Sequence, residues 1–344
     1  MRFAINGFGR IGRCVARIWA QDSQLQQKIQ LVQINSPSGG EIGGHLLKYD
    51  SVHGTFAGSV AWHDPQLEMN DQSILFTKHR DLASIQWQGV DVVLECSGRY
   101  KTPADLAKHI HHDVKHVLLS SPGKDIDQTI VYGVNHRQLK AEHQLVSAAS
   151  CTTNALAPIL AILENSVGIE AGFMTTVHAY TTDQNLTDAS HQDLRRARAA
   201  GQSMIPTKTG AASSIGEVLP SLAGKLDGVA IRVPTANVSL LDITLNLSQS
   251  TSVKAINDLL IDAAHTTLKG VLGTSDLPLV SCDFNGRFES AVLDLTQTKV
   301  NGSQVKLMAW YDNEWAFAHR MINLIQHFHA LHQVNHAAME HQVA

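Results

Sequence analysis

Cysteine is scarce in this chain of 344 residues. Cys14, Cys96, Cys151 and Cys282 stand far apart and form no CxxC pair. Neither a disulfide framework nor a cysteine-based metal site therefore has support, and any special thiol must be argued singly. Long apolar runs are also missing, since no window approaches the ~18 consecutive apolar residues of a spanning helix. Met1-Arg2-Phe3-Ala4-Ile5 lead straight into a glycine motif instead of an export signal, so a cytoplasmic protein is expected. Nor is there an excess of positive charge: 27 Lys and Arg against 31 Asp and Glu give a net −4, which offers no general attraction to nucleic acid or to an acidic membrane. Internal repeats and low-complexity tracts are absent.

What is present is an ordinary globular composition, 44% hydrophobic and 17% charged, with enough apolar surface to offset chain entropy. At ~150 residues per domain the length suggests about two domains. Histidine is plentiful, but His109, His111, His112 and His116 surround a polar helical stretch, where solvated side chains are expected. No acidic or cysteine spacing supports a metal there, and no metal site is expected.

The first third alternates short apolar runs at 2–6, 30–35, 90–95, 117–120 and 144–148 with helical stretches at 11–20 and 103–111. That pattern predicts a parallel sheet with crossover helices. After Cys151 come a helical run at 155–165 and longer alternating runs at 172–180, 229–233, 238–247, 291–294 and 305–310. These predict an α+β second domain with a mostly antiparallel sheet. The stretch 181–213 is polar, basic and without clear periodicity, as expected of a functional or interface loop. The tail from Glu314 is helical again, and a terminal helix at 316–344 is expected to pack back on the first domain. The expected division is residues 1–150 and 151–315.

Gly7-Phe8-Gly9-Arg10-Ile11-Gly12 fits GxGxxG, with a strand before it and a helix after it. In that context the free N–H groups of the helix start can hold a pyrophosphate, and the first domain reads as a Rossmann dinucleotide-binding domain. The acidic residue expected ~20 positions on is missing. The second strand ends Gln33-Ile34-Asn35-Ser36-Pro37-Ser38, so no carboxylate repels a 2′-phosphate and two hydroxyls are available to it. The cofactor reading is NAD or NADP, tilted toward acceptance of NADP.

Of the four thiols, Cys151 in Ser150-Cys151-Thr152-Thr153-Asn154 opens a helix after a predicted strand. The helix dipole there is expected to lower its pKa and make it the nucleophile. Cys14 and Cys96 read as packing residues. His178, on the alternating strand before the polar stretch, is the candidate base. With a dinucleotide domain the pair suggests aldehyde oxidation through a thioester. A peptidase or acyl hydrolase would use the same pair but leave the glycine motif without a task.

Asn6 to Arg13, Ala149-Ser150-Cys151-Thr152-Thr153-Asn154, His178-Ala179-Tyr180-Thr181, Arg232-Val233-Pro234-Thr235 and Trp310-Tyr311-Asp312-Asn313-Glu314-Trp315 resemble, in order and spacing, the phosphorylating glyceraldehyde-3-phosphate dehydrogenases. The resemblance implies oxidation of glyceraldehyde 3-phosphate to 1,3-bisphosphoglycerate in a homotetramer, with Cys151 as nucleophile and His178 as acid and base. It implies that Gly7, Gly9, Arg10, Ile11 and Gly12 meet the pyrophosphate, that Ser36 lies at the adenosine end, that Ser120 lines the cofactor cleft and that Asn313 holds the nicotinamide carboxamide. The sugar phosphate would sit on Thr181 and Arg232. Inorganic phosphate would sit on Ser150, Thr152, Thr209, Gly210 and Arg196, or on a neighbouring Arg195 or Arg198 in place of Arg196. Thr207 to Ala212 favour the three-carbon substrate over erythrose 4-phosphate, which stays as an alternative beside a non-catalytic dinucleotide-binding regulator. Three features depart from the family pattern, the last two of them from its NAD-specific members. Ala155 replaces a second cysteine, Ser36 replaces the carboxylate, and Ala189-Ser190 replace Leu-Pro; the last two lean toward NADP.

Overall fold

A computed structural model describes the backbone of residues 1–343 and the side chains of residues 1–334; Ala344, the last residue of the expected terminal helix, lies outside the described residues. The chain divides into two compact units, one of Met1–Ala149 with the chain from Ala318, the other of Ser150–Phe317.

In the first unit, β1 (Arg2–Asn6) runs into α1 (Arg10–Gln21) and then β2 (Gln30–Asn35). The glycine spacing is a steric necessity at two positions. Gly7 has φ +95°, and a Cβ on it would stand 2.4 Å from the backbone nitrogen of Ser97; one on Gly12 would stand 2.5 Å from the carbonyl of Gly7. α1 buries Val15, Ile18 and Trp19 against the sheet, with Trp19 edge-on to Phe3 and its indole N–H donating to the Ile29 carbonyl at 2.9 Å. Burial of each such side chain is worth roughly 1.5–3 kcal/mol.

The sheet continues through β3 (Val60–His63), β4 (Gln66–Met69), β5 (Gln72–Thr77), β6 (Val92–Glu95), β7 (His116–Leu119), β8 (Gln128–Thr129) and β9 (Leu145–Ser147). Its order is β8-β9-β7-β6-β1-β2-β5-β4-β3. All pairs are parallel except β3–β4 and β4–β5, a meander at one edge that the sequence reading did not anticipate. The predicted helix at 103–111 is one turn, Pro103–Leu106, followed by a 3-10 turn. His109 and His116 are fully buried, which corrects the expectation of solvated side chains. His109 turns inward to Trp87 and Glu95, and His116 stacks on Phe328 of the terminal helix at 4.0 Å.

In the second unit, α2 (Cys151–Val167) is followed by β10 (Ile169–Ala179), β11 (Ile205–Lys208), α3 (Ala211–Val218), β12 (Leu226–Val233), β13 (Ser239–Leu247), α4 (Val253–His265), β14 (Leu272–Ser275), β15 (Ala291–Asp294) and β16 (Gln304–Tyr311). Sheet order is β11-β12-β10-β13-β16-β15-β14. β10–β12 and β14–β15 are parallel and the other pairs antiparallel. The stretch 181–213 is thus not wholly irregular, since it contains β11 and the start of α3. α5 (Trp315–Val343) starts in this unit, and Asp312 accepts the backbone N–H groups of Glu314 and Trp315 at its head.

Candidate active site

Period-2 alternation along β10 buries Met174, Thr176 and His178 on one face while Phe173 faces out. The parallel register of β10 with β12 places Arg232 directly beside His178. Cys151 is the first residue of α2, whose N-cap Ser150 accepts the Thr153 N–H at 3.0 Å. Just before it Ala149 adopts φ +59°, a conformation that a non-glycine residue holds only when its surroundings impose it. The buried Ser147 hydroxyl does so in part, accepting the Ala149 N–H at 2.9 Å while donating to the Ser121 carbonyl at 2.8 Å.

The result is a compact constellation. Cys151 Sγ lies 3.6 Å from His178 Nε2. His178 Nδ1 is 2.6 Å from the Ala179 carbonyl and 2.7 Å from Arg232 Nη1, which also reaches that carbonyl at 3.1 Å. A carbonyl only accepts and a guanidinium only donates, so the two contacts select different tautomers. With Nδ1–H on Ala179, the Nε2 lone pair faces sulfur; with Nδ1 accepting from Arg232, Nε2 carries a proton toward it.

The electrostatics correct the expectation of an acidified thiol. Burial pushes the Cys151 pKa up, and the opposing charge of Arg232 does not overcome it. Burial, then Arg232, then Arg196 bring His178 down to about 3, leaving a neutral imidazole despite help from Ala179. Both shifts act in the same sense, favouring the uncharged form of each partner, thiol and neutral imidazole. Tyr311, absent from the predicted site, is edge-on to His178 with its hydroxyl on Thr152 at 3.0 Å and Thr176 at 2.7 Å. It sat unnoticed inside the Trp310–Trp315 motif; only the register of β16 on β13 places it there.

Around this centre, Thr181 donates to Gln184 through its backbone N–H at 2.7 Å. Arg196 is fixed by Thr207 at 2.9 Å, the Lys208 carbonyl at 3.1 Å and Asp183. Arg195 reaches Pro206 and the exposed Arg198 pairs with Asp188, so of the three arginines Arg196 is the one whose charge acts on His178. Gly210 caps α3 and Thr209 accepts the Ala211 N–H. Asn313 is buried, and its Oδ1 accepts from Ser239 at 2.8 Å. Ala189 and Ser190 are exposed.

In the first unit a cleft of about 370 Å³ is lined by Asn6, Gly7, Gly9, Asn35, Ser36 and Arg80, among others. Gly9, which lines this cleft, is the N-cap residue of α1 and supplies no side-chain cap, so the positive end of the helix dipole lies at the cleft wall. Ser36 Oγ lies 2.9 Å from Ser38 Oγ. Arg10, in the first turn of α1, is ion-paired with Asp50, and Ile11 beside it is half-buried. Ser120 donates to the Glu95 carbonyl at 3.0 Å. Burial pushes the Cys96 thiol up to about 12, as suits a packing residue, although it also borders the cleft.

Comparison with known proteins agrees in both units. The family model for the NAD binding domain of glyceraldehyde 3-phosphate dehydrogenase matches residues 1–103, and that for its C-terminal domain matches residues 150–313. A Pseudomonas aeruginosa protein named glyceraldehyde-3-phosphate dehydrogenase is 50% identical over 325 residues, 94% of this chain and 96% of its own. The chromosomal glyceraldehyde-3-phosphate dehydrogenase of Cupriavidus necator is 48% identical over 94% of this chain and 97% of its own, and glyceraldehyde-3-phosphate dehydrogenase 2 of Bacillus subtilis is 46% identical over 95% and 96%. This chain belongs to the glyceraldehyde-3-phosphate dehydrogenase family. Its first unit carries the family's NAD-binding domain, and the cysteine and histidine that face each other stand in the family's C-terminal domain. Among the described residues no helix is long and apolar enough to cross a membrane.

Proposed function

We propose that the protein oxidises glyceraldehyde 3-phosphate with inorganic phosphate to 1,3-bisphosphoglycerate, reducing NAD or NADP. The observation that carries this reading is the 3.6 Å approach of Cys151 Sγ to the neutral His178 Nε2. His178 takes the thiol proton as sulfur adds to the aldehyde carbon and hands it to the carbonyl oxygen, forming a thiohemiacetal and leaving the imidazole neutral again. The dinucleotide, when bound, supplies the hydride acceptor. As hydride leaves, His178 accepts the hydroxyl proton of the adduct and an acyl-thioester stays on Cys151. Phosphate oxygen then attacks the thioester carbonyl, the C–S bond breaks, the departing Cys151 sulfur takes back the proton from His178 and the acyl phosphate leaves.

Thr181 and Arg232 take the sugar phosphate. Occupation of Arg232 by that dianion frees His178 Nδ1 for the Ala179 carbonyl, the tautomer in which Nε2 is a base. Ser150, Thr152, Arg196, Thr209 and Gly210 take inorganic phosphate. Gly7, Gly9, Arg10, Ile11, Gly12, Ser36 and Ser120 hold the dinucleotide, and Asn313 presents its amide N–H to the carboxamide, its oxygen being engaged by Ser239. NADP is accepted as well as NAD, because the cleft offers Ser36 in place of a carboxylate and is edged by His79 and Arg80. Ala189 and Ser190 act at the adenosine end of a neighbouring subunit's cofactor in a homotetramer. Exposed Leu186, Leu194 and Met204 on the same loop, with Phe173 and Val229 on the outer sheet face, give such an assembly its apolar surface. A cytoplasmic location completes the reading.

The test is steady-state dinucleotide reduction with and without phosphate. Turnover should require phosphate and vanish in Cys151→Ser. Undiminished turnover without phosphate would point to hydrolytic release of the kind used on erythrose 4-phosphate, and full activity in Cys151→Ser would overturn the mechanism.

A further inference from the structure

Beneath the glycine loop a set of buried polar side chains forms one continuous hydrogen-bonded chain, and its direction is fixed by groups that have no choice. The Trp87 indole N–H, which only donates, lies 3.1 Å from His109 Nδ1. Nδ1 is therefore the acceptor, the proton sits on Nε2, and Nε2 donates to Glu95 Oε2 at 3.2 Å. Glu95 is fully buried at the end of β6 and receives two further donors, Asn6 Nδ2 at 2.5 Å and the Ser97 N–H at 2.7 Å. Because Asn6 turns its nitrogen to the carboxylate, its oxygen is left to accept from Asn35 Nδ2 at 2.9 Å. Asn35 then offers its own oxygen to the His79 N–H at 2.9 Å and the Thr77 hydroxyl at 2.8 Å. Asn6, Asn35, His79 and Ser97 all line the cleft.

Three N–H donors converge on Glu95, and a carboxylate is the side chain that accepts from all three without presenting a donor of its own. Its replacement by an amide puts an NH2 group among donors. Asn6 and Asn35 can relieve that conflict only by flipping, which inverts what they show to the cleft.

We infer that Glu95 is a positioning residue for the dinucleotide: through Asn6, Asn35 and Ser97 it fixes which atoms of the cleft donate and which accept. This rests on the reading of the cleft as the dinucleotide site. It goes further in assigning affinity to a buried carboxylate that touches no ligand.

The experiment is titration of NADH fluorescence, without aldehyde or phosphate, on Glu95→Gln, His109→Gln and His109→Leu. Glu95→Gln should raise the dissociation constant about tenfold, the scale of one misdirected buried hydrogen bond, with kcat at saturating dinucleotide within about threefold of the parent. Glutamine at 109 reproduces the same order of acceptor and donor as the imidazole, so His109→Gln should bind within about threefold of the parent, whereas His109→Leu should weaken binding about as much as Glu95→Gln. In the parent, 15N shifts of His109 should show the Nε2–H tautomer that the Trp87 indole imposes. A folded Glu95→Gln with unchanged affinity, or equal impairment by both His109 variants, overturns the proposal. Where Glu95→Gln does not fold, the His109 pair decides alone. NADH binding by a parent protein that does not oxidise the aldehyde would sink the proposed reaction and leave this inference standing; no NADH binding by the parent would sink both.

Discussion

At the scale of single residues, the charge of Arg232 acts on both Cys151 and His178. It opposes the burial that raises the Cys151 pKa, and it joins burial in lowering that of His178. Arg232→Leu should therefore move the pH dependence of iodoacetamide alkylation at Cys151 to higher pH, while kcat/KM for the sugar phosphate falls roughly 100-fold from loss of a charge-assisted phosphate contact. An alkylation profile that stays in place would remove Arg232 from the thiol's electrostatics. His178→Asn keeps a polar side chain but no base in the right range. A kcat lower by about 10²–10⁴ is expected, with dinucleotide affinity retained. The identities of Cys151 and His178 were legible in the sequence because each sits in a distinctive motif. The sign of the thiol's pKa was not, since it turns on how deeply the sulfur is buried, and burial is a property of the fold. Tyr311 was likewise visible as a letter but not as a neighbour of His178.

Among the elements, the β9–α2 junction concentrates the demands of the site. Ala149 holds φ +59° one residue before the N-cap, and Ser147 keeps it there with a hydroxyl that both accepts and donates. Ser147→Ala leaves the buried Ala149 N–H and the half-buried Ser121 carbonyl without this partner, and should lower unfolding free energy by about 1–3 kcal/mol in urea titrations. Because the turn leads into Cys151, the proposed nucleophile, the same variant should also slow acylation; a destabilised enzyme with unchanged burst kinetics would show that the junction serves stability alone. β1, β2 and α1 were readable because their apolar spacing is regular and the glycine motif ties them together. β11, a four-residue edge strand with Pro206 within it, carries no such pattern, and proline on an edge reads like a loop. The meander β3–β5 escaped for a related reason, its short strands being only partly buried. His109 and His116 looked solvated because histidine beside lysine and aspartate usually is.

For the whole molecule, cofactor choice and acid stability are the properties to measure. NADP should reach a catalytic efficiency comparable to that of NAD; a preference for NAD of ~100-fold, about 2.7 kcal/mol, would mean that Ser36 and its basic neighbours do not receive a 2′-phosphate. Acid stability follows from the terminal helix. His116 Nδ1–H donates to the His143 carbonyl at 2.8 Å, so its Nε2 accepts from His332 Nε2 at 2.6 Å. Burial, with His332 and Lys115 nearby, brings His116 down to about 4, against the opposing influence of the His143 carbonyl and Asp91. A pKa below the unfolded value near ~6.5 gives stability that is complete above that pH and is lost as pH falls toward the folded value. His116 alone should account for about 3 kcal/mol at most between these limits. Urea unfolding from pH 7 to 4.5 should show the decline, and His116→Gln should flatten it; an unchanged slope would put the acid sensitivity elsewhere. The imidazole pair that seats α5 has one more outcome. Denaturation in that pH interval takes up protons from the medium, so the heat absorbed in a scanning calorimeter should differ between acetate and imidazole buffers at the same pH, by an amount that His116→Gln should reduce.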